Sequence, residues 1–254
     1  MSASDETTNE PSAGSEPYHP DNVLDRVSSP AGLAAHYRRL EERERALLAA
    51  RLPLAGGEVL SVGCGWNPGR HLFPAPDYRL VGVDADPGKV AGVRETGRAD
   101  EAQVGRAGAL EFCDGSFDVV LYRLVLHHIA YRGSLTPCFR EAAQLLRPGG
   151  ALVAIEPGLW HPVGAALALA NRAGVATVIH GTPDDVPLSP RALLAEARAV
   201  GLHPELHALT YTWRRLPRRF QRLLAPLDEL GSRAWAAPFG HTLVLIARKD
   251  GAPA

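Results

Sequence analysis

The sequence predicts an α/β domain built on a doubly wound, mostly parallel sheet. Three observations carry that expectation. Short apolar runs alternate with helical segments through most of the chain, as in consecutive βαβ units. The runs are almost continuously apolar, which suits strands covered on both faces. The first two runs end in Gly63-Cys64-Gly65 and in Asp84. That puts turn-forming glycines and a carboxylate beyond the carboxyl ends of strands, where an open parallel sheet has its ligand crevice.

The elements follow in chain order. Residues 1–27 are rich in Ser, Glu, Thr, Pro and Asp, with a net charge of −5 over Met1 to Arg26. So few apolar groups cannot offset the entropy of ordering, so a disordered acidic tail is expected, followed by a single domain over residues 28–250. Ser29-Pro30 has the form of a helix cap with proline at the first position. It introduces an amphipathic helix over Ala31–Leu52, carrying Leu33, Tyr37, Leu40, Leu47 and Leu48 and stopped by Pro53. Strands are expected from Glu58 to the glycines at 63–65, from Arg79 to Asp84, from Phe117 onward, and over Ala151–Gly158. Asp86 caps a helix running from Pro87 toward Arg98. Ser134–Leu146 reads as a helix closed by Arg147-Pro148-Gly149-Gly150, with glycine as the left-handed cap.

The last third is less regular. Pro162–Ile179 is apolar but interrupted by Asn171 and Arg172, so it suits a buried or lid helix better than a membrane span. Residues 158–188 as a whole read as an insertion forming a lid over an acceptor pocket. Ser189-Pro190 opens a helix over Arg191–Val200. Glu205–Trp213 and His241–Lys249 read as strands, with a helical stretch at Leu216–Leu230 between them.

Composition narrows the function classes. The chain has 254 residues, of which 46% are hydrophobic and 22% charged, enough for one well-cored domain. A net charge of −1 gives no global pull toward nucleic acid, and none is expected as a partner. Three cysteines, Cys64, Cys113 and Cys138, argue against a disulfide framework, and without a CxxC pair no metal is expected. The first residues lack the basic and apolar regions of a signal peptide, and a cytoplasmic protein is expected. One local exception stands out. Arg214, Arg215, Arg218, Arg219 and Arg222 surround Leu216, Phe220, Leu223 and Leu224. Three readings stay open for it: a solvated face, a dock for an acidic partner, or a peripheral contact with anionic lipid.

The chemistry concentrates at the strand ends. Asp84 follows Gly65 by nineteen residues, the spacing at which a carboxylate accepts hydrogen bonds from both ribose hydroxyls of an adenosine-type ligand. The dinucleotide fingerprint fails, because Pro68 stands where its third glycine or alanine is required. No Gly-Lys-Ser/Thr follows either, which excludes a P-loop.

In order and spacing, VLSVGCG (59–65), LVGVDADP (80–87), CDGSFDVVLYRLVLHHI (113–129), LLRPGGALVAIEPG (145–158) and HTLVLIARK (241–249) resemble the successive motifs of class I S-adenosylmethionine-dependent methyltransferases. The resemblance covers roughly residues 31–249. It implies a Rossmann-like, seven-stranded sheet whose last strand is antiparallel, with helices on both faces and S-adenosyl-L-methionine as cofactor. It places Gly63, Cys64 and Gly65 under the methionine part, Asp84 on the ribose and Ala85 beside the adenine. Ala107 and Gly108 fall at the adenine edge, and Arg123 and Leu124 at the cofactor amino group. Ser61 stands where the family often has an acid, and Arg106 where an Asp often meets the adenine. Methyl transfer to oxygen benefits from a general base, and His128 is the first candidate, with His127 and Glu156 beside it. Trp160, His161 and His180 are expected to line the pocket of a small organic acceptor, and the polar loop from His180 to Asp185 would suit a polyol. Two other classes stay open: a cofactor-binding scaffold without turnover and, on the arginine cluster, an RNA methyltransferase.

Overall fold

The fold is described by a computed structural model covering residues 30–52, 54–180 and 182–251. The acidic tail read over residues 1–27, the cap at Ser29 and the stop at Pro53 lie outside the described residues.

Seven strands form one sheet: β1 (Gly57–Val62), β2 (Tyr78–Asp84), β3 (Glu101–Val104), β4 (Phe117–Arg123), β5 (Leu146–Pro157), β6 (His203–Thr210) and β7 (Thr242–Arg248). Their order is β3-β2-β1-β4-β5-β7-β6. The first five are parallel, and β7 pairs antiparallel with both β5 and β6. The expected antiparallel last strand is therefore present. It lies inside the sheet, and β6 takes the edge. The chain winds outward from β1 in one direction to β3 and then restarts at β4 on the other side. This reversal opens a crevice at the carboxyl ends of β1 and β4.

The helices are α1 (Pro30–Arg51), α2 (Pro87–Glu95), α3 (Leu126–Arg132), α4 (Thr136–Leu145), α5 (Pro162–Arg172), α6 (Ala176–His180), α7 (Pro190–Ala199) and α8 (Arg218–Leu224). Two apolar clusters sandwich the sheet. One joins Leu60, Val62, Tyr122 and Leu152 to Phe139 of α4 and Leu193 of α7. The other joins Val59, Leu121, Val153 and Ile246 to Leu40 and Leu48 of α1. Asp86 caps α2 as expected, its carboxylate accepting from Gly88 N at 2.8 Å.

Several elements differ from the sequence reading. β3 escaped notice because only Ala102 in Glu-Ala-Gln-Val is buried, leaving no apolar run. β5 starts at Leu146, before the glycines assigned to a helix cap. Its register shifts between Phe117 and Val119 of β4, and left-handed Gly149 sits within that irregular stretch. The apolar stretch 162–179 is two short helices, with Leu169 and Val178 exposed. The stretch 216–230 is α8 followed by a 3-10 turn at Ala225–Leu230. α1 buries His36, Leu40, Glu44 and Leu48, a stripe at intervals of four, whereas Tyr37 faces outward. No described helix is long and apolar enough to cross a membrane.

Candidate active site

The turn after β1 is built for close approach. Gly63 has φ +63°, and a Cβ there would lie 2.2 Å from Val125 Cγ2, so no other residue fits. Gly65 has φ +54° and open space where a Cβ would project. Between them Cys64 closes the turn, its N–H donating to Val83 O at 3.0 Å and its carbonyl accepting from Asn67 N at 3.1 Å. Its thiol is buried, and burial together with the Asp84 carboxylate pushes its pKa up to about 12.

Asp84 ends β2 across this turn. One carboxylate oxygen accepts from Gly65 N at 2.8 Å and the other from Asp86 N at 3.0 Å. A carboxylate held by two backbone donors is fixed in orientation before any ligand arrives. Ala85 beside it is exposed, and Ser61 is buried in β1 opposite Gly82 and Leu121. The loop after β3 is clamped from below. Glu141 of α4 accepts from Gly108 N at 2.8 Å and from Leu110 N at 2.5 Å. Ala107 and Gly108 are thereby fixed at the same sheet edge, while Arg106 faces solvent. The sequence reading missed Glu141, since a charged residue within a helix reads as ordinary helix surface.

The exit from β4 is equally constrained. Arg123 forms a two-pronged pair with Glu44 of α1, at 3.0 and 3.2 Å, and Glu44 also meets His71 Nε2 at 3.2 Å. Glu44 is only 1% exposed in its side chain, so α1 is anchored over this edge by a desolvated ion pair. Among the described residues, Leu124 is the one non-glycine residue with positive φ, at +57°. Its N–H is held by Ile155 O at 2.9 Å. Such a conformation costs on the order of 1–3 kcal/mol and persists only where its surroundings dictate it.

Glu156 at the end of β5 is completely buried. Its Oε1 accepts from Val125 N at 3.0 Å and Leu126 N at 2.8 Å, and its Oε2 lies 2.6 Å from His127 Nδ1. It thus caps the first turn of α3, where unpaired backbone donors collect. On its other side His127 Nε2 lies 3.5 Å from Asp185 Oδ1. Burial lowers the His127 pKa, but the Glu156 and Asp185 carboxylates outweigh it, and the net shift is upward.

His128 is placed differently. Its ring is stacked beside His127 with centroids 4.0 Å apart. Its Nδ1 is buried 3.3 Å from Asp184 Oδ2, an ion-pair distance without hydrogen-bond alignment. The side chain as a whole is 42% exposed. Asp184 is buried, and its other oxygen accepts from Thr182 Oγ1. Burial raises the Asp184 pKa, but His128 and Thr182 hold it down at about 2. A depressed carboxylate contributes stability above its unfolded value near 3.8 and loses it as pH falls toward 2. Asp184→Asn should therefore remove on the order of 2 kcal/mol of stability at neutral pH and flatten this acid limb in urea titrations.

The other expected acceptor residues are more scattered. His161 caps α5, its Nδ1 accepting from Val163 N at 3.2 Å, and its ring meets that of His241 edge-on at 5.1 Å. Trp160 packs between Arg191 and Phe239. His180 ends α6, and its side chain lies outside the described part. Residues 158 and 188 are bridged: Leu188 N donates to Pro157 O at 2.8 Å and Leu159 N to Leu188 O at 2.9 Å. The segment between them, which carries α5 and α6, is closed at its base, and it delivers Asp184 and Asp185 to the two histidines.

Comparison with known proteins gives this edge its meaning. Residues 60–154, from β1 into β5, match the family model described as a methyltransferase domain. Over those residues the chain is similar to S-adenosylmethionine-dependent methyltransferases. The glycine turn with its opposed, pre-oriented carboxylate fits that cofactor. Among curated relatives, a probable S-adenosylmethionine-dependent methyltransferase of Mycolicibacterium smegmatis is 34% identical over 104 residues, 41% of this chain and 39% of that one. The 27-O-demethylrifamycin SV methyltransferase of Amycolatopsis mediterranei is 36% identical over 115 residues, 41% of this chain and 40% of that one. The chain thus spans about two fifths of these relatives' length. A solved structure of geranyl diphosphate C-methyltransferase from Streptomyces coelicolor superposes with a TM-score of 0.60 at 17% identity, covering 95% of this chain and 94% of that one. A chain of the Haloferax volcanii complex between the Trm112 methyltransferase activator and the putative methyltransferase gives 0.60 at 20% identity, covering 90% and 98%. At these identities the methyltransferases share the fold.

Proposed function

We propose that the protein transfers a methyl group from S-adenosylmethionine to a hydroxyl of a small organic acceptor, with His128 as general base. The observation that carries this reading is the His128–Asp184 arrangement: one ring nitrogen faces a buried carboxylate while the side chain stays 42% exposed on the helix that follows β4. In this reading Asp84 accepts the ribose hydroxyls, while the backbone at 63–65 and at Arg123 and Leu124 lines the methionine part. Ser61 supports the strand beneath, and Ala85, Ala107 and Gly108 flank the adenine. Glu156 and His127 are positioning residues, because their donors and acceptors are engaged with one another and with α3. Residues 158–188 form the lid, carrying Trp160, His161 and His180 to the acceptor.

When bound, the cofactor supplies an electrophilic methyl on a sulfonium. The protein's own work is alignment and proton removal. His128 Nε2 takes the acceptor hydroxyl proton as the oxygen gains its methyl, and Asp184 stabilises the imidazolium and orients the ring. The relatives named for O-methylation, including the rifamycin enzyme and ubiquinone biosynthesis O-methyltransferases, support oxygen as the acceptor atom.

The test is a panel of hydroxylated small molecules assayed with labelled S-adenosylmethionine. With a turned-over acceptor in hand, His128→Ala should lower kcat about a hundredfold while S-adenosylhomocysteine affinity stays unchanged. Asp184→Asn should lower kcat while leaving S-adenosylhomocysteine affinity unchanged. A His128→Ala enzyme with unaltered kcat overturns the base assignment. Cofactor binding without turnover on any acceptor would favour the scaffold reading.

A further inference from the structure

The segment after β6 carries a feature that methyl transfer does not use. α8 and the residues following it expose Phe220, Leu223, Leu227 and Trp235, with Leu223 71% and Trp235 68% exposed. Arg218, Arg219, Arg222 and Arg233 are exposed among them. The two acids of this stretch are turned inward or neutralised. Asp228 is buried and paired with Arg39 and Arg43 of α1, and Glu229 pairs with Arg43 at 3.0 Å. The exposed side chains of this segment are therefore cationic and apolar together, and the buried Asp228 ties the segment to α1.

We propose that this face docks on an anionic lipid bilayer, with Leu223 and Trp235 entering the interfacial region and the arginines meeting lipid phosphates. The physical case rests on pairing. Apolar side chains on a cationic surface gain both from leaving water and from the negative surface potential, whereas either contribution alone is weak. A single-stranded RNA would also answer the charge and stack on Phe220 and Trp235, but it has no use for the exposed Leu223 and Leu227, whereas a bilayer interface takes all four. The proposal stands independently of the acceptor assignment, since none of these residues belongs to the cofactor or base arrangement.

The full chain is sedimented with sucrose-loaded vesicles of phosphatidylcholine alone and of phosphatidylcholine mixed with phosphatidylglycerol. Binding is expected to the mixed vesicles only, and to fall as salt is raised. R218E/R222E should weaken partitioning at least tenfold or so, given two reversed charges near the surface. L223S/W235S should weaken it severalfold while retaining its salt dependence. All four positions are exposed, and unchanged melting temperature and S-adenosylhomocysteine affinity will show that the variants fold. Three results overturn the proposal: no binding to mixed vesicles, equal binding to both vesicle types, or binding that the variants leave intact. Tight, salt-sensitive binding to a single-stranded RNA that displaces the protein from vesicles would also overturn it, in favour of a nucleic-acid surface.

Discussion

Asp84→Ala is expected to weaken S-adenosylhomocysteine binding roughly a thousandfold, as measured by calorimetry. In the proposed complex the carboxylate accepts both ribose hydroxyls, and a hydrogen bond to a charged group contributes about 1.5–3 kcal/mol. Two such bonds correspond to between two and four powers of ten in affinity. The variant also strips the acceptors from Gly65 N and Asp86 N, so the turn after β1 loses its cross-strand tie. Asp84→Asn separates the two effects. Its amide oxygen can keep one backbone donor, but its NH2 group must face the other donor or a ribose hydroxyl. It should therefore hold the fold and still bind weakly. Unchanged affinity in both variants would show that the ligand is not anchored at the end of β2.

Glu156→Ala is expected to cost about 3–5 kcal/mol of unfolding free energy in urea. The figure is that for removing one partner of a buried charged network. Without Glu156, the Val125 and Leu126 N–H groups and the His127 ring lose their acceptor in a site closed to water. Glu156→Gln tests the charge alone and carries a pH signature. The folded His127 pKa lies above its unfolded value near 6.5. Its contribution is thus complete below about pH 6.5 and is lost as pH rises through the folded pKa. The wild-type protein should lose stability over that alkaline interval, and Glu156→Gln should flatten the loss. A wild-type stability that does not fall there would mean that His127 is neutral in the folded protein.

Much of the fold was legible because strands covered on both faces leave continuous apolar runs. β1, β2, β4, β5 and β7 all stood out for that reason, and β3 did not because it is short, polar and at the edge. The turn at residues 63–65 and Asp84 opposite it were legible too, since glycines and an acid at strand ends act through local backbone geometry. The surroundings of His128 were not. His128 was visible from its place after β4, but Asp184 comes from 56 residues further on and reaches it only because residues 158 and 188 are pinned together. Glu156 read as a base candidate beside His128, and only its donors, the backbone N–H groups of Val125, Leu126 and His127 and the His127 ring, reveal its engagement with α3. The buried role of Glu44 was hidden for the same kind of reason: a charged residue within a helix reads as surface until its partner is known.

The Glu44–Arg123 pair sets how small a working fragment of this gene can be. The segment that matches the methyltransferase model, residues 60–154, omits α1 and stops within β5. A fragment trimmed to it would leave Arg123 without its carboxylate and β5 without β7, presenting an unpaired strand edge to other chains. Such a fragment is expected to aggregate on expression. The shortest soluble piece should begin at or before α1 and run through β7, so that truncation series and domain fusions have their safe junctions outside that interval.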